Sequence, residues 1–391
     1  MTTVGSGRVQ VVDAGVEHLV NLLGARAAGQ VRQAIVLLQA VDELTGHPVS
    51  TPVRVTSTNP AVSGGWANGG VAGLVGVPAQ AMPALGSQPY SIDLTVTVDG
   101  FVPWTMTVDF ATQAGFPETF TGTDLGAVEL RRRPVALEIT ALRLDLSNRL
   151  QTLPGADIRI GQVWRHVADI GGAGVAAPMI GLPLGVSQTW PVGTALDSVS
   201  LLPAAEPVRR LARGTAPGEV VMEVDRLGAL TVGDLIGLDL ADIDRREYVA
   251  LAAVIGSTDP DSPTAVESET PVRVAHATSA TARRVPAPPG GPPDATLTEP
   301  AQAGDTTIFV DTVAPFAGVE ILRASGGSIT DEYVDAHLYR GISNAAGVVL
   351  MPGLSRVAAV ELTATHGALA ATVLFSPDYL SPTNSVALTL Q

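Results

Sequence analysis

The side chains with most chemistry to offer are His276 and His366. They follow two similar triplets, Glu247-Tyr248-Val249 and Glu332-Tyr333-Val334. An imidazole near a glutamate can ligate a metal or form a pH-sensitive interface group. A hydrogen-bonded strand histidine repeated by a duplicated fold gives the same spacing, and the sequence favours that plainer reading. The densest acidic cluster is Asp239, Asp242, Asp244 and Glu247. Oxygen ligands at that density could hold Ca²⁺, but the glycine of a known calcium loop is missing and Arg245-Arg246 lie inside the cluster, which points to an internally paired surface loop. The triplet Arg131-Arg132-Arg133 is the one basic run. It reads as an anion site or, better, as a solvated strand end or hinge.

Other chemistry is excluded by residue type. The 23 basic residues are all Arg and the chain has no Cys. A disulfide scaffold, thiolate zinc site, cysteine nucleophile, Schiff-base lysine or complete phosphate-binding P-loop therefore cannot be built. There is no HExxH, GxSxG or EF-hand pattern. Gly172 to Ala177 fits GxGxxA in form, yet Pro178 follows at once and no helical pattern continues, so it reads as a loop. No catalytic residue, cofactor-binding residue or metal ligand is assigned. The expectation is a protein that is not an enzyme and carries no cofactor.

The elements around these residues look short and β-rich. The chain has 391 residues, 46% of them hydrophobic and 4% aromatic, with 41 Gly and 29 Pro. That composition suits several domains of short strands joined by Gly/Pro turns. The net charge of −15 is the wrong sign for a phosphate backbone, so no nucleic-acid partner is expected. The N-terminus carries acids and a His where a signal peptide needs an apolar core, and the most apolar region, Gly70 to Gly86, is broken by Gly and Pro. Cytoplasmic synthesis without membrane insertion is expected. Val16, Leu19, Val20 and Leu23 sit at helical spacing between Gly15 and Gly24, which predicts a short amphipathic helix in an extension over residues 1–30.

The chain also repeats itself. Gly218 to Asp225 (GEVVMEVD) and Gly304 to Asp311 (GDTTIFVD) lie 86 residues apart, and Leu235-Ile236 and Ile321-Leu322 keep that offset. The EYV triplets follow at 85 and the two histidines at 90. One supersecondary unit is therefore expected twice, at 205–285 and 297–391, separated by the Pro/Gly linker 286–296.

Upstream, Asp42-Glu-Leu-Thr-Gly46-His-Pro-Val49 joins a strand to Val53-Arg-Val-Thr56, and Asp99-Gly100-Phe101-Val102-Pro103 joins two alternating strands. In order and spacing this resembles the carboxypeptidase regulatory-like module, a small transthyretin-like β-sandwich, over residues 31–133. A second, degraded copy is expected over 134–204, from Pro134-Val-Ala-Leu-Glu-Ile139 and Leu153-Pro-Gly-Ala-Asp-Ile-Arg-Ile160. The duplicated units resemble β-repeats of phage-tail and baseplate proteins. Together the modules resemble a component of a phage-tail-like contractile injection system. The fold expected is all-β, built of tandem small sandwich or barrel-like modules. The function implied is a structural component at the baseplate, cap or fibre that docks sheath, tube or baseplate proteins or a copy of itself, assembled in the cytoplasm into a particle later released. An adhesin or carbohydrate-binding surface module is the alternative, because tandem β-modules serve there too.

Overall fold

The structure, a computed structural model, describes residues 8–13, 16–21, 32–67, 69–176, 178–205, 207–242, 245–288, 292–316, 320–327 and 329–391. The described residues are nearly all strand and turn, with one short α-helix, Pro78–Ala81, and one 3-10 turn. They fall into two compact units, residues 1–133 with 165–170, and residues 134–164 with 171–391.

In the first unit the predicted N-terminal helix is replaced by strands. Arg8–Asp13 pairs antiparallel with Val16–Asn21, so Val16, Leu19 and Val20 are extended, and Leu23 lies outside the described residues. The reason is local: the segment is rich in β-branched valine, and two residues containing Gly15 connect its halves, which favours a hairpin.

The rest of the unit is a two-sheet sandwich. One sheet has the order Val62–Trp66, Val71–Gly76, Gln33–Asp42, Thr123–Leu130, and the other Arg54–Thr56, Tyr90–Thr97, Trp104–Phe110. The first strand is antiparallel to Val71–Gly76 but parallel to Thr123–Leu130. Side chains from both sheets close one core, including Ile35, Leu38, Leu74, Ile92, Leu94 and Val108, with the period of two clearest along Tyr90–Thr97. The Asp99-Gly100 turn has Gly100 at φ +82°, a conformation costly for any residue with a Cβ. The Arg triplet serves this sandwich. Arg132 forks onto buried Asp42, with Nη2 at 2.5 Å and Nε at 3.2 Å from Oδ2, and Arg133 Nε donates to the Phe101 carbonyl at 3.1 Å. Arg131 lies 4.0 Å from Glu43. The run is therefore engaged by the chain's own acceptors.

The second unit is nested. Its outer layer is another sandwich. Val135–Leu144 pairs antiparallel with Val348–Leu354 and Leu150–Thr152, and parallel with Thr383–Leu390. The facing sheet has the order Arg340–Ile342, Asp157–Trp164, Ala359–His366, Leu369–Phe375. The parallel pairing of first and last strand repeats that of the first sandwich. Strand pairing thus joins residues 134–164 mainly to 340–391, and only a single Val163–Val175 bridge ties them to the 171–204 segment that sequence order suggested. The sandwich's last hairpin joins Ala359–His366 to Leu369–Phe375, turning at His366-Gly367 with Gly367 at φ +59°.

Two six-stranded barrels occupy the interval. The inner barrel is contiguous in sequence. Its strands follow the ring order Arg209–Arg210, Thr281–Val285, Leu235–Leu238, Glu247–Val254, Thr264–Ser268, Val221–Val224, and a Leu211–Val224 bridge closes it. The outer barrel has the same ring: Ala295–Thr296, Ala195–Val199, Glu320–Ser325, Glu332–Leu338, Met179–Gly181, Thr307–Phe309, closed by Leu297–Val310. Four of its strands lie 85 or 86 residues after their inner counterparts, and the other two lie 86 before. The inner barrel is an insertion in the outer one, which is itself an insertion in the sandwich.

The cores match residue by residue. Leu211, Met222, Val224, Ile236 and Val249 of the inner barrel correspond to Leu297, Ile308, Val310, Leu322 and Val334 of the outer. In the reverse direction Val266, Val272 and Ala282 correspond to Ile180, Val186 and Leu196. Burial of such side chains supplies the main drive for each barrel, roughly 1.5–3 kcal/mol apiece for the larger ones.

Arg356 ties the outer barrel to the sandwich. It is 4% exposed, donates to the Pro300 carbonyl at 3.2 Å and to Glu299 at 3.3 Å, and lies over the Phe309 ring at 5.4 Å. Tyr339 adds a hydroxyl contact to Thr307 Oγ1 at 2.7 Å and donates to the Gly353 carbonyl at 3.0 Å.

Candidate functional site

The barrels meet where their EYV triplets pair, Tyr248 opposite Tyr333. Both tyrosines are buried in a small apolar cluster with Leu201, Leu235 and Val285, and burial pushes both phenol pKa values up. The first residue of each triplet turns inward. Glu247 and Glu332 are 0% and 3% exposed, a costly position for a carboxylate unless every oxygen finds a donor.

Each barrel meets that demand in the same way. Glu247 Oε2 accepts from the Arg273 backbone N–H at 2.9 Å, and Glu332 Oε1 accepts from the Ser187 N–H at 2.6 Å. Those two donors are 86 residues apart. The second donor is an aromatic ring nitrogen. His276 Nε2 lies 3.2 Å from Glu247 Oε1, and Trp190 Nε1 donates to Glu332 Oε2 at 2.9 Å. His276 and Trp190 are again 86 apart, and each pairs through both backbone hydrogen bonds with equivalent residues, Thr215 and Ala301.

The counterpart of His276 is therefore Trp190, which corrects the pairing with His366. His366 is the exposed last residue of a largely buried sandwich strand. The sequence signal was present, but it required running the 86-residue offset backwards from the inner barrel, where the chain enters the outer barrel first.

Symmetry breaks at Arg273, whose side chain reaches both barrels. Its Nε is 3.5 Å from Glu247 Oε2 and its Nη1 is 3.5 Å from Glu332 Oε1. It also donates to the carbonyls of Gly185 and Tyr333, at 3.2 and 3.3 Å. The equivalent outer residue is Ser187, so one guanidinium serves two buried carboxylates. A second crossing is Arg246, which forks onto Asp335 at 2.9 and 2.6 Å. Composition gave no reason to single out Arg273, Trp190 or Asp335.

The acidic cluster is absorbed into this junction. Asp239, at φ +44°, accepts from His276 Nδ1 at 2.9 Å and from the Thr281 N–H at 3.2 Å. Asp242 donates its backbone N–H to the Asp239 carbonyl at 2.8 Å, and Asp244 lies outside the described residues. The two nitrogens of His276 face different carboxylates, so the three groups do not converge on one point. Among the described residues no group of three or more His, Cys, Asp or Glu is arranged to hold a metal ion. The Gly172 loop packs beside Trp164, whose Nε1 donates to the Gly172 carbonyl at 3.3 Å; Ala177 lies outside the described residues. Chemically the junction is a buried ionic clamp whose acceptors are already taken by the chain. Comparison with protein-family models, curated proteins and solved structures gives no match for this chain.

Proposed function

We propose that the chain is a non-enzymatic structural component of a phage-tail-like contractile injection system, working by multivalent docking of other particle proteins. The observation that carries the docking part is an open sheet edge. Among the described residues, Leu369–Phe375 (LAATVLF) pairs as a strand with Ala359–His366 on one side only; it carries no charge and exposes Val373 and Leu374. Its other edge makes backbone bonds to described residues only near one end, where Ala370 pairs with Gln391. Proteins normally blunt such an edge with Lys, Pro or a bulge, and assemblies use it for strand addition. Copies of the chain side by side in a particle would present this edge repeatedly, so that weak contacts add through effective concentration. The particle assignment rests on the resemblance of the repeats. Sheath, tube or baseplate proteins are the partners, and assembly takes place in the cytoplasm before release.

The test is sedimentation of a tagged chain from its native host. Wild type is expected in a large complex with sheath and tube proteins, and Leu374→Lys, which charges the edge without touching a core, is expected to shift most of the chain to the free pool. Recovery of wild type as a free monomer that binds a glycan array would replace this reading with the adhesin.

A further inference from the structure

The junction holds one group that its twin has replaced. His276 is 2% exposed, and both of its ring nitrogens face carboxylates, Asp239 on one side and Glu247 on the other. Ionised carboxylates only accept hydrogen bonds, and a neutral imidazole has only one N–H. Both contacts can be hydrogen bonds only while the ring carries two protons. After loss of either proton, a ring lone pair faces a carboxylate lone pair in a buried site, where an unsatisfied pairing is expensive.

We propose that His276 is a proton-operated staple of the inner barrel, which holds the start of the next loop, residues 239–242, against the barrel while the ring is doubly protonated and releases it when the ring becomes neutral. Asp239 is the hinge of this loop. Its backbone N–H donates to the Thr281 carbonyl and its Oδ1 accepts from the Thr281 N–H, so the loop base depends on where the Asp239 carboxylate points.

The charged groups acting on the ring are Glu247, from the EYV strand, and Asp239, from the loop. Arg273 touches the other oxygen of Glu247 and draws part of its charge. The paired residue Thr215 brings none. Burial by itself lowers the pKa of His276, but the hydrogen bonds and charges of Glu247 and Asp239 outweigh it and hold the folded value above the ordinary 6.5. A raised folded pKa means that the stabilisation is complete below about pH 6.5 and is lost as pH rises through the folded value. The outer barrel is an internal control, because the Trp190 N–H donates at every pH.

The experiment is a pH titration of the full chain by ring-nitrogen NMR, with amide exchange measured in parallel. His276 is expected to titrate above the ordinary imidazole value of about 6.5, and Asp239→Asn is expected to move it down. Above that midpoint, exchange over residues 239–242 should accelerate at least about tenfold more than over the outer-barrel residues 325–327, equivalent to about 1.4 kcal/mol. A His276 that is neutral at pH 6, or that titrates at or below the ordinary imidazole value, overturns the staple. So does a loop whose exchange follows pH in step with the outer barrel. His276→Gln should remove the excess pH dependence; if that variant does not fold, the wild-type titration still decides.

Discussion

A fragment spanning residues 200–288 is expected to fold alone, whereas one spanning 296–391 is expected not to. The first contains all six strands of the inner barrel and its whole core, from Leu211 to Ala282. It also keeps Leu201, which packs on Tyr248 and Val285 at the face uncovered by excision. The second fragment begins after a natural-looking Pro/Gly linker, yet its barrel lacks Met179–Gly181 and Ala195–Val199, and its sandwich lacks Val135–Leu144 and Asp157–Trp164. Removing the central Val135–Leu144 strand leaves two sheet edges and half a core without partners, far beyond the stability of a typical domain. Cooperative urea unfolding of 200–288, and collapsed amide dispersion for 296–391, are the expected results. A well-dispersed spectrum from 296–391 would mean that its strands can close without the upstream segments.

Arg273→Ala is expected to destabilise the full chain by roughly 3–5 kcal/mol, the usual cost of removing one partner from a buried charge arrangement. The change leaves Glu247 and Glu332 buried, and each loses the only guanidinium within 4.0 Å among the described contacts. The deficit should shrink as pH falls, because protonating the stranded carboxylates removes the uncompensated charge. Arg213→Ala is the control. Arg213 also touches two glutamates, Glu219 and Glu223, but its side chain is 52% exposed, and such surface pairs contribute at most about 1 kcal/mol. Equal losses from the two substitutions would show that the junction is solvated and that Arg273 is not its centre.

The pattern of residues made much of this fold legible. Alternation of Thr and apolar residues around Asp99-Gly100 marked a hairpin, and the repeat of GEVVMEVD in GDTTIFVD marked two copies of one unit. Both are local signals, set by the two-residue strand period and by turn chemistry. What sequence did not reveal is which strands close which barrel. Closure is a long-range choice, and a strand such as Ala195–Val199 reads the same whether it pairs with its neighbours or with Glu320–Ser325, more than 120 residues away. For the same reason His366, downstream, looks like the partner of His276, while the structural counterpart Trp190 lies 86 residues upstream. The N-terminal helix differs for another reason: the spacing of Val16, Leu19 and Val20 fits a helix, but the β-branched valines of the segment favour strand.

The nested closure is the centre of the account, and a chain without cysteine allows a direct test. Glu138 and Leu350 are cross-strand partners in the sandwich, and Asp197 and Arg323 are partners in the outer barrel. Antiparallel partners lie about 4.5–5.5 Å apart at Cα, within disulfide reach. The variants Glu138→Cys/Leu350→Cys and Asp197→Cys/Arg323→Cys should each oxidise to a single intramolecular disulfide in the folded protein, whereas Glu138→Cys/Leu202→Cys, which probes a contiguous module over 134–204, should stay reduced. A crosslink in the last variant, with none in the first two, would contradict the nested arrangement.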